Sequence, residues 1–386
     1  MHIDTEYLVE MSLRDEPYDE SLIVELLAET PLHILLAAAD EVKRRLVGNI
    51  ASYVVNVYIA YTNVCIARCP LCNFYARNEK EAYVLPPDAV AKTIVEYRQK
   101  HGITEVHITG GLNPELRLDY YISLLHAIRD AAPGVIIKAF TAEEIDFISR
   151  LEGEKPSTIL AELREAGLDA LPGGGAEILD AEVRRIIAPY KSDPTKYLKI
   201  HETAHRLGIR SNATMLYGHV EEPKHIARHL LEIYKLQGKT GGFISFIPLR
   251  WNPGNTPLAN NPRYKQLIYS KASGIYDLRV IAVSRLVLAP RIKHIVAYWV
   301  ALGKKLASLA LRAGADDMGG TFYNEPVISS ARGTKRSRGM DPEEIEFLIL
   351  QSGFRPQERD TFYNYLGSRT SIETWRKTPW VIERFT

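Results

Sequence analysis

Cys65, Cys69 and Cys72 stand in the run Tyr61-Thr-Asn-Val-Cys-Ile-Ala-Arg-Cys-Pro-Leu-Cys-Asn-Phe-Tyr75 and are the only cysteines in the chain. A tight CxxxCxxC with no fourth thiol suits a 4Fe–4S cluster held by three thiolates. Iron–sulfur proteins built for electron transfer usually close the cluster with four cysteines. Three leave one iron without a protein ligand, and an open coordination position is how a protein makes a metal do chemistry rather than hold a fold. The alternative is zinc, but a structural zinc site wants four ligands, usually in two pairs, and the fourth here would be the distant His219.

Other residues of chemical interest come in short strings. Gly110-Gly111-Leu112-Asn113-Pro114 pairs two glycines, which let a backbone approach a ligand closely. Leu171-Pro-Gly-Gly-Gly-Ala-Glu177 holds three in succession, a cost in chain entropy that implies a close neighbour for the backbone, followed at once by an acid. Asn212-Ala-Thr-Met-Leu-Tyr-Gly-His-Val-Glu221 carries His219 and Glu221, which are either acid–base groups facing a substrate or structural. Arg250, in Phe246-Ile-Pro-Leu-Arg-Trp-Asn, suits a bidentate grip on a carboxylate, with solvated surface arginine as the bland alternative. Arg285, Arg291 and Lys293 are lesser candidates for that task.

These strings need a scaffold. From about residue 50, strand-like apolar runs alternate with helical patterns. The expected strands are Tyr53–Ala60, Glu105–Thr109, Val135–Phe140, Asp169–Leu171, Ser211–Tyr217, Gly242–Pro248, His294–Trp299 and Asp316–Thr321. Gly102, Gly167, Gly208 and Gly314 each precede a strand and read as helix stops. Asp193-Pro194 reads as a helix start. About eight strands in this rhythm predict an α/β fold, a (β/α)8-type (TIM-like) barrel. The cysteines, both glycine strings, Gly218-His219 and Arg250-Trp251 then all fall at C-terminal strand ends, where such barrels do their chemistry. Residues 1–49 read as a helical extension, 50–335 as the barrel core and 336–386 as a C-terminal extension packed on it.

Composition narrows the setting. The chain has 386 residues, 46% hydrophobic, with a formal net charge of +1. Such balance offers no argument for nucleic acid or an anionic membrane. No apolar run is long enough to span a bilayer, and the N-terminus lacks the basic-then-apolar pattern of a signal peptide. Clustered thiols need a reducing compartment, so the expectation is a cytoplasmic protein.

The cysteine loop resembles the signature of the radical S-adenosylmethionine enzymes. The resemblance implies that the open iron chelates the amino and carboxylate groups of S-adenosylmethionine. One electron from the cluster then splits the C5′–S bond and releases a 5′-deoxyadenosyl radical. Leu71 stands where the family usually has an aromatic residue before the third cysteine, with Phe74 and Tyr75 close by to meet adenine. By the same resemblance Gly110 and Gly111 meet the methionine ammonium. Gly174, Gly175 and Glu177 serve the ribose or ammonium, and Met215 and Gly218 face the adenosyl group.

Within that superfamily the chain resembles, from about residue 50 to about 325, the futalosine branch of menaquinone biosynthesis and its relatives. Pro172-Gly-Gly-Gly-Ala-Glu-Ile178 is similar to the two menaquinone enzymes. Lys138-Ala-Phe-Thr-Ala-Glu-Glu-Ile145, Ala213-Thr-Met-Leu-Tyr-Gly-His219, Ile247-Pro-Leu249 and Ala297-Tyr-Trp299 resemble aminofutalosine synthase. Two places depart from it. Arg250 replaces a small residue, and Gly319-Gly-Thr-Phe-Tyr-Asn-Glu325 leans toward the tyrosine-using subunit of the deazaflavin chromophore synthase. The expectation is an aminofutalosine synthase that adds the adenosyl radical to 3-[(1-carboxyvinyl)oxy]benzoate, a dicarboxylate enol ether. Arg250 would hold carboxylates, His219 or Glu221 would move protons, and a ferredoxin or flavodoxin would supply electrons. The rivals are the dehypoxanthine futalosine cyclase, the deazaflavin enzyme and, outside enzymology, an iron–sulfur redox sensor or carrier.

Overall fold

A computed structural model describes residues 3–331 and 337–370. Ten strands lie in them: β1 Ile50–Val54, β2 Asn56–Ala60, β3 Glu105–Thr109, β4 Ile136–Ala139, β5 Ala170–Leu171, β6 Arg210–Tyr217, β7 Phe243–Arg250, β8 Asp317–Gly320, β9 Arg355–Arg359 and β10 Tyr365–Gly367. The strands β2-β3-β4-β5-β6-β7 form one parallel sheet in chain order. Helices between them cover its outer face, as parallel pairing requires a crossover after each strand.

The remaining gap in the wall closes by thinner contacts. Phe246 of β7 bridges Ile295, Val296 bridges Asp317 of β8, β8 pairs with β1, and Tyr323 bridges Val57 of β2. The expected barrel is therefore present as a six-strand arc with a lightly paired closing side. The expected strand His294–Trp299 is reduced to single bridges at Ile295 and Val296, because a helix already starts at Trp299.

Local signals read in the sequence do their work. Gly102, Gly167, Gly208 and Gly314 all take positive φ at helix ends, where only glycine is unstrained. Asp193 caps its helix by accepting from the Thr195 amide at 2.8 Å, with Pro194 in the first turn. Helices Thr5–Leu13, Glu20–Ala28 and Leu32–Val47 precede the barrel. Leu35, Ala38, Ala39 and Val42 make the buried face of the third. Among the described residues no single helix is long and apolar enough to cross a membrane.

The N-terminal ends of the strands are floored by the chain's own C-terminal part, whose strands the sequence pattern did not predict. β9 pairs with β1, and β10 runs antiparallel to β9. Arg359 grips Asp317 with two hydrogen bonds, at 2.5 and 3.0 Å. Thr361 donates to Glu105 at 2.8 Å, and Tyr363 stacks on His294 with centroids 3.5 Å apart. Glu105 also takes Lys138 at 2.8 Å and the Asn56 amide at 2.9 Å. Each buried charge thus has an opposite partner, without which it would be strongly destabilising. Residues 371–386 of the expected extension, with much of its aromatic and basic tail, lie outside the described residues, as do 332–336 at its junction with the barrel.

Candidate active site

At the opposite end the strand termini surround a cavity of about 310 Å³. Cys65, Cys69, Cys72, Phe74, Gly110, Gly111, Gly174, Gly175, Glu177 and Arg250 all line it. Residues far apart in the chain converge there because every parallel strand points the same way.

The cysteine loop is pinned on two sides. The amide of Ile66 donates to the Leu112 carbonyl at 3.0 Å and that of Gly111 to the Thr62 carbonyl at 2.9 Å, tying the loop to the end of β3. The Trp251 indole donates to the Leu71 carbonyl at 2.9 Å, tying it to β7. The amide of Phe74 points at the Cys72 sulfur, 3.3 Å away. Burial pushes the Cys69 thiol up to about 12 and raises that of Cys72 as well. A metal must therefore displace protons from both, which thiophilic metals do. Among the described residues no three Cys, His, Asp or Glu side chains are gathered as a single-ion site. A cluster makes no such demand, since each thiolate binds a different iron; the donor set fits a three-thiolate cluster better than zinc.

The glycines have close neighbours within the protein. A Cβ on Gly110 would fall 2.4 Å from the Tyr61 ring, and one on Gly111 would fall 2.2 Å from the Val64 carbonyl oxygen. A Cβ on Gly173 would fall 2.7 Å from the Asn212 carbonyl oxygen, and one on Gly175 would fall 3.1 Å from the Glu143 Cβ. These positions are glycine because the loops nest against one another, whatever ligand also reaches them. Glu144 locks the arrangement: its buried carboxylate accepts from Tyr61 Oη at 2.7 Å, the Gly110 amide at 3.0 Å and the Thr141 amide at 2.8 Å.

Glu177 meets Lys191 at 2.5 Å on the cavity wall. Burial alone would raise the Glu177 carboxyl; Lys191 outweighs it and holds it below the ordinary carboxylate range. Arg184 fastens the Lys191 turn to the glycine run, donating to the carbonyls of Gly175, Ala176 and Ser192 at 2.9, 2.7 and 2.7 Å. An acid and an ammonium side by side near Cys69 complement the carboxylate and ammonium of an α-amino acid group. Lys191 was missed in the sequence; its signal was its position just before the helix start Asp193-Pro194, on a loop at the chemical face.

Four anticipated residues are not in the cavity wall. His219 and Glu221 are fully buried behind it. His219 accepts from the Val220 amide at 2.7 Å and donates to the Leu216 carbonyl at 2.9 Å, so both ring nitrogens are engaged, and burial holds the ring neutral. The Glu221 carboxylate takes the amides of Gly218 and His219 and the Tyr276 hydroxyl, at 2.7, 2.8 and 2.8 Å. Both shape the turn after β6; neither faces a substrate. Met215 lies on the opposite face of β6 from Asn212, Thr214 and Leu216, which do line the cavity, as strand alternation demands. Gly218, at φ 88°, makes room for Arg250.

Arg250 itself reaches the cavity. Its Nε lies 3.3 Å from Asp277 and its buried Nη1 has no hydrogen-bond partner. Burial pushes Asp277 up to about 6 against the pull of Arg250. Glu325 closes another side, accepting from the Ile328 and Ser329 amides at 2.8 and 3.0 Å, with its carboxyl raised by burial.

A parallel arc with three thiols on the loop after its first strand, over a cavity at the strand ends, defines the class. The chain belongs to the radical SAM superfamily of enzymes, whose family model matches residues 59–233. A second model, the CofH/MqnC C-terminal region, matches residues 240–372. The 5-amino-6-(D-ribitylamino)uracil–L-tyrosine 4-hydroxyphenyl transferase of Archaeoglobus fulgidus is 42% identical over 85% of this chain and 92% of its own. The aminodeoxyfutalosine synthase of Thermus thermophilus is 38% identical over 90% of this chain and 91% of its own. In fold the chain is similar to the crystal structure of methylornithine synthase, at a TM-score of 0.69 and 20% identity, over 90% of this chain and 97% of that one. Membership implies an iron–sulfur cluster and S-adenosylmethionine.

Proposed function

We propose that the chain is a radical SAM transferase acting on L-tyrosine and 5-amino-6-(D-ribitylamino)uracil, in place of the aminofutalosine synthase expected from local strings. The observation that carries this reading is that both departures from the synthase pattern reach the cavity, Arg250 directly and the string Gly319–Glu325 through its last residue. A cation and an acid on different sides of one cavity suit a zwitterionic amino acid, whereas the second carboxylate of a dicarboxylate would find an acid at Glu325. Several relatives with the transferase name, at 36–42% identity, support it.

Cys65, Cys69 and Cys72 would hold the cluster, and the Glu177–Lys191 pair with the ends of β3 and β5 would hold S-adenosylmethionine. When bound, these groups supply a one-electron cleavage that yields a carbon radical. The protein's own contribution is positional. Arg250 takes a carboxylate with its guanidinium, Glu325 takes an ammonium, and Trp251 and Leu71 shield the site from water. A ferredoxin or flavodoxin remains the proposed reductant, and a cytoplasmic setting the proposed location.

The second reading, aminofutalosine synthase, keeps the support of the Thermus relative and of Pro172-Gly-Gly-Gly-Ala-Glu-Ile178. The test is anaerobic reconstitution with S-adenosylmethionine, a reductant and each substrate set, followed by mass spectrometry. A tyrosine-derived aryl group joined to the diaminouracil supports the transferase. An adduct of adenosine with the benzoate substrate replaces it with the synthase.

A further inference from the structure

Two polar side chains deeper in the cavity have unmet hydrogen-bonding capacity. Asn212, on the inward face of β6, is 5% exposed; its Nδ2 is bound to Ser245 Oγ at 2.7 Å, and its Oδ1 has no partner. His107, on the inward face of β3, stacks on Tyr58 with centroids 4.6 Å apart and planes 20° from parallel, and its buried Nδ1 has no partner. Both line the cavity. A buried polar group without a partner is destabilising, so two that line the same cavity mark a place where a ligand can satisfy both.

The charge pattern says what sort of ligand. Beneath these residues Glu105 is already paired with Lys138, and Asp317 with Arg359. Burial beside Lys138 keeps His107 neutral. A carboxylate pushed to this depth would lose its water and meet no available cation. The cations on the cavity wall, Arg250 and Lys191, stand above, at the end of β7 and on a loop of the same face. A neutral flat ring with N–H and C=O groups suits the lower wall, where Asn212 offers an amide edge and His107 a ring nitrogen that donates or accepts according to its tautomer.

We infer that the deep end of the cavity, between Asn212 and His107, is the subsite for a neutral hydrogen-bonding heterocycle of the pyrimidinedione kind, with the ionised substrate held above it at Arg250. The inference rests on the transferase reading, in which the diaminouracil is that heterocycle, and it names Asn212 and His107 as specificity-determining residues.

The test uses anaerobically reconstituted enzyme, wild type, Asn212→Leu and His107→Phe, the latter keeping the stack on Tyr58. Equilibrium dialysis measures binding of 5-amino-6-(D-ribitylamino)uracil, and steady-state assays give KM for it and for tyrosine. The expected result is a loss of heterocycle affinity of about tenfold or more in each variant, with KM for tyrosine within about twofold of wild type. Iron content and melting temperature check each fold, and Asn212→Ser replaces the leucine variant if that one fails to assemble. Unchanged heterocycle affinity in the variants overturns the subsite even if the wild type makes transferase product. Equal losses for both substrates overturn it in favour of a structural role. Wild type that neither binds the heterocycle nor makes product overturns the subsite together with the transferase reading.

Discussion

The guanidinium of Arg250 occupies the volume that a side chain at position 218 would need: a Cβ on Gly218 would lie 1.4 Å from Arg250 Nη1. Gly218→Ala must therefore expel the arginine, besides forcing alanine to φ 88°, a strain of about 1–3 kcal/mol. We expect Gly218→Ala and Arg250→Ala to raise KM for the carboxylate-bearing substrate about tenfold or more alike. Arg250→Lys should rescue little, because an ammonium lacks the planar fork. A Gly218→Ala enzyme with wild-type KM would show that the carboxylate is bound elsewhere.

The cysteine loop depends on a second glycine. With Val64 O only 2.2 Å from a Cβ at position 111, Gly111→Ala must lift the loop off the end of β3. Cluster loading should fall by roughly half or more, read as iron per chain, while the far-ultraviolet circular dichroism stays unchanged. Cys72→Ser should abolish the cluster's visible absorption altogether. Full iron loading in Gly111→Ala would mean that the loop adapts.

The floor of the barrel invites a stability measurement. Glu105 is fully buried, and although burial would raise its carboxyl, Lys138 holds it at about 2. Glu105→Gln strands the Lys138 ammonium and should cost about 3–5 kcal/mol in urea unfolding. Adding Lys138→Met should recover most of that loss. The native carboxyl keeps its charge to lower pH than the unfolded one, so this contribution is complete above about pH 4.5 and disappears as pH falls toward 2. Equal stability of the single and double variants would dismiss the pair as an energetic unit.

Lys43 carries the same rise of stability with pH into the alkaline range. It is fully buried in the helix Leu32–Val47, donating to the Leu311 carbonyl at 2.7 Å over the Phe354 ring, with Asp40 3.0 Å away. Burial pushes its ammonium down to about 7 from 10.5. Between those values the unfolded chain holds a proton that the native one has released, so stability rises with pH. Relative to Lys43→Met, wild type should gain on the order of 2 kcal/mol from pH 7 to pH 9. Parallel curves for the two proteins would show that Lys43 keeps its proton when folded.

Much of the architecture was legible in the chain because its determinants are local. Alternating apolar runs marked the strands, and glycines after apolar periods marked the helix ends. The exceptions are instructive. β9 and β10 escaped notice because Arg355–Arg359 reads as a polar segment; it becomes a strand only by pairing with β1. His219 and Glu221 looked catalytic because a histidine and an acid at a strand end often are. Their hydrogen bonds to adjacent amides were settled by a turn whose conformation the residue types did not reveal.

By itself, the order of residues determined the cysteine loop, the positions of the glycines and the alternation of faces along each strand, since spacing and a period of two are properties of one segment. Tertiary structure alone decided that Lys191 meets Glu177, that Arg250 fills the space above Gly218, and that Asn212 and His107 look into one cavity. These relations join segments that share no local signal, and they arise only when eight successive wall segments curl until the first and last touch.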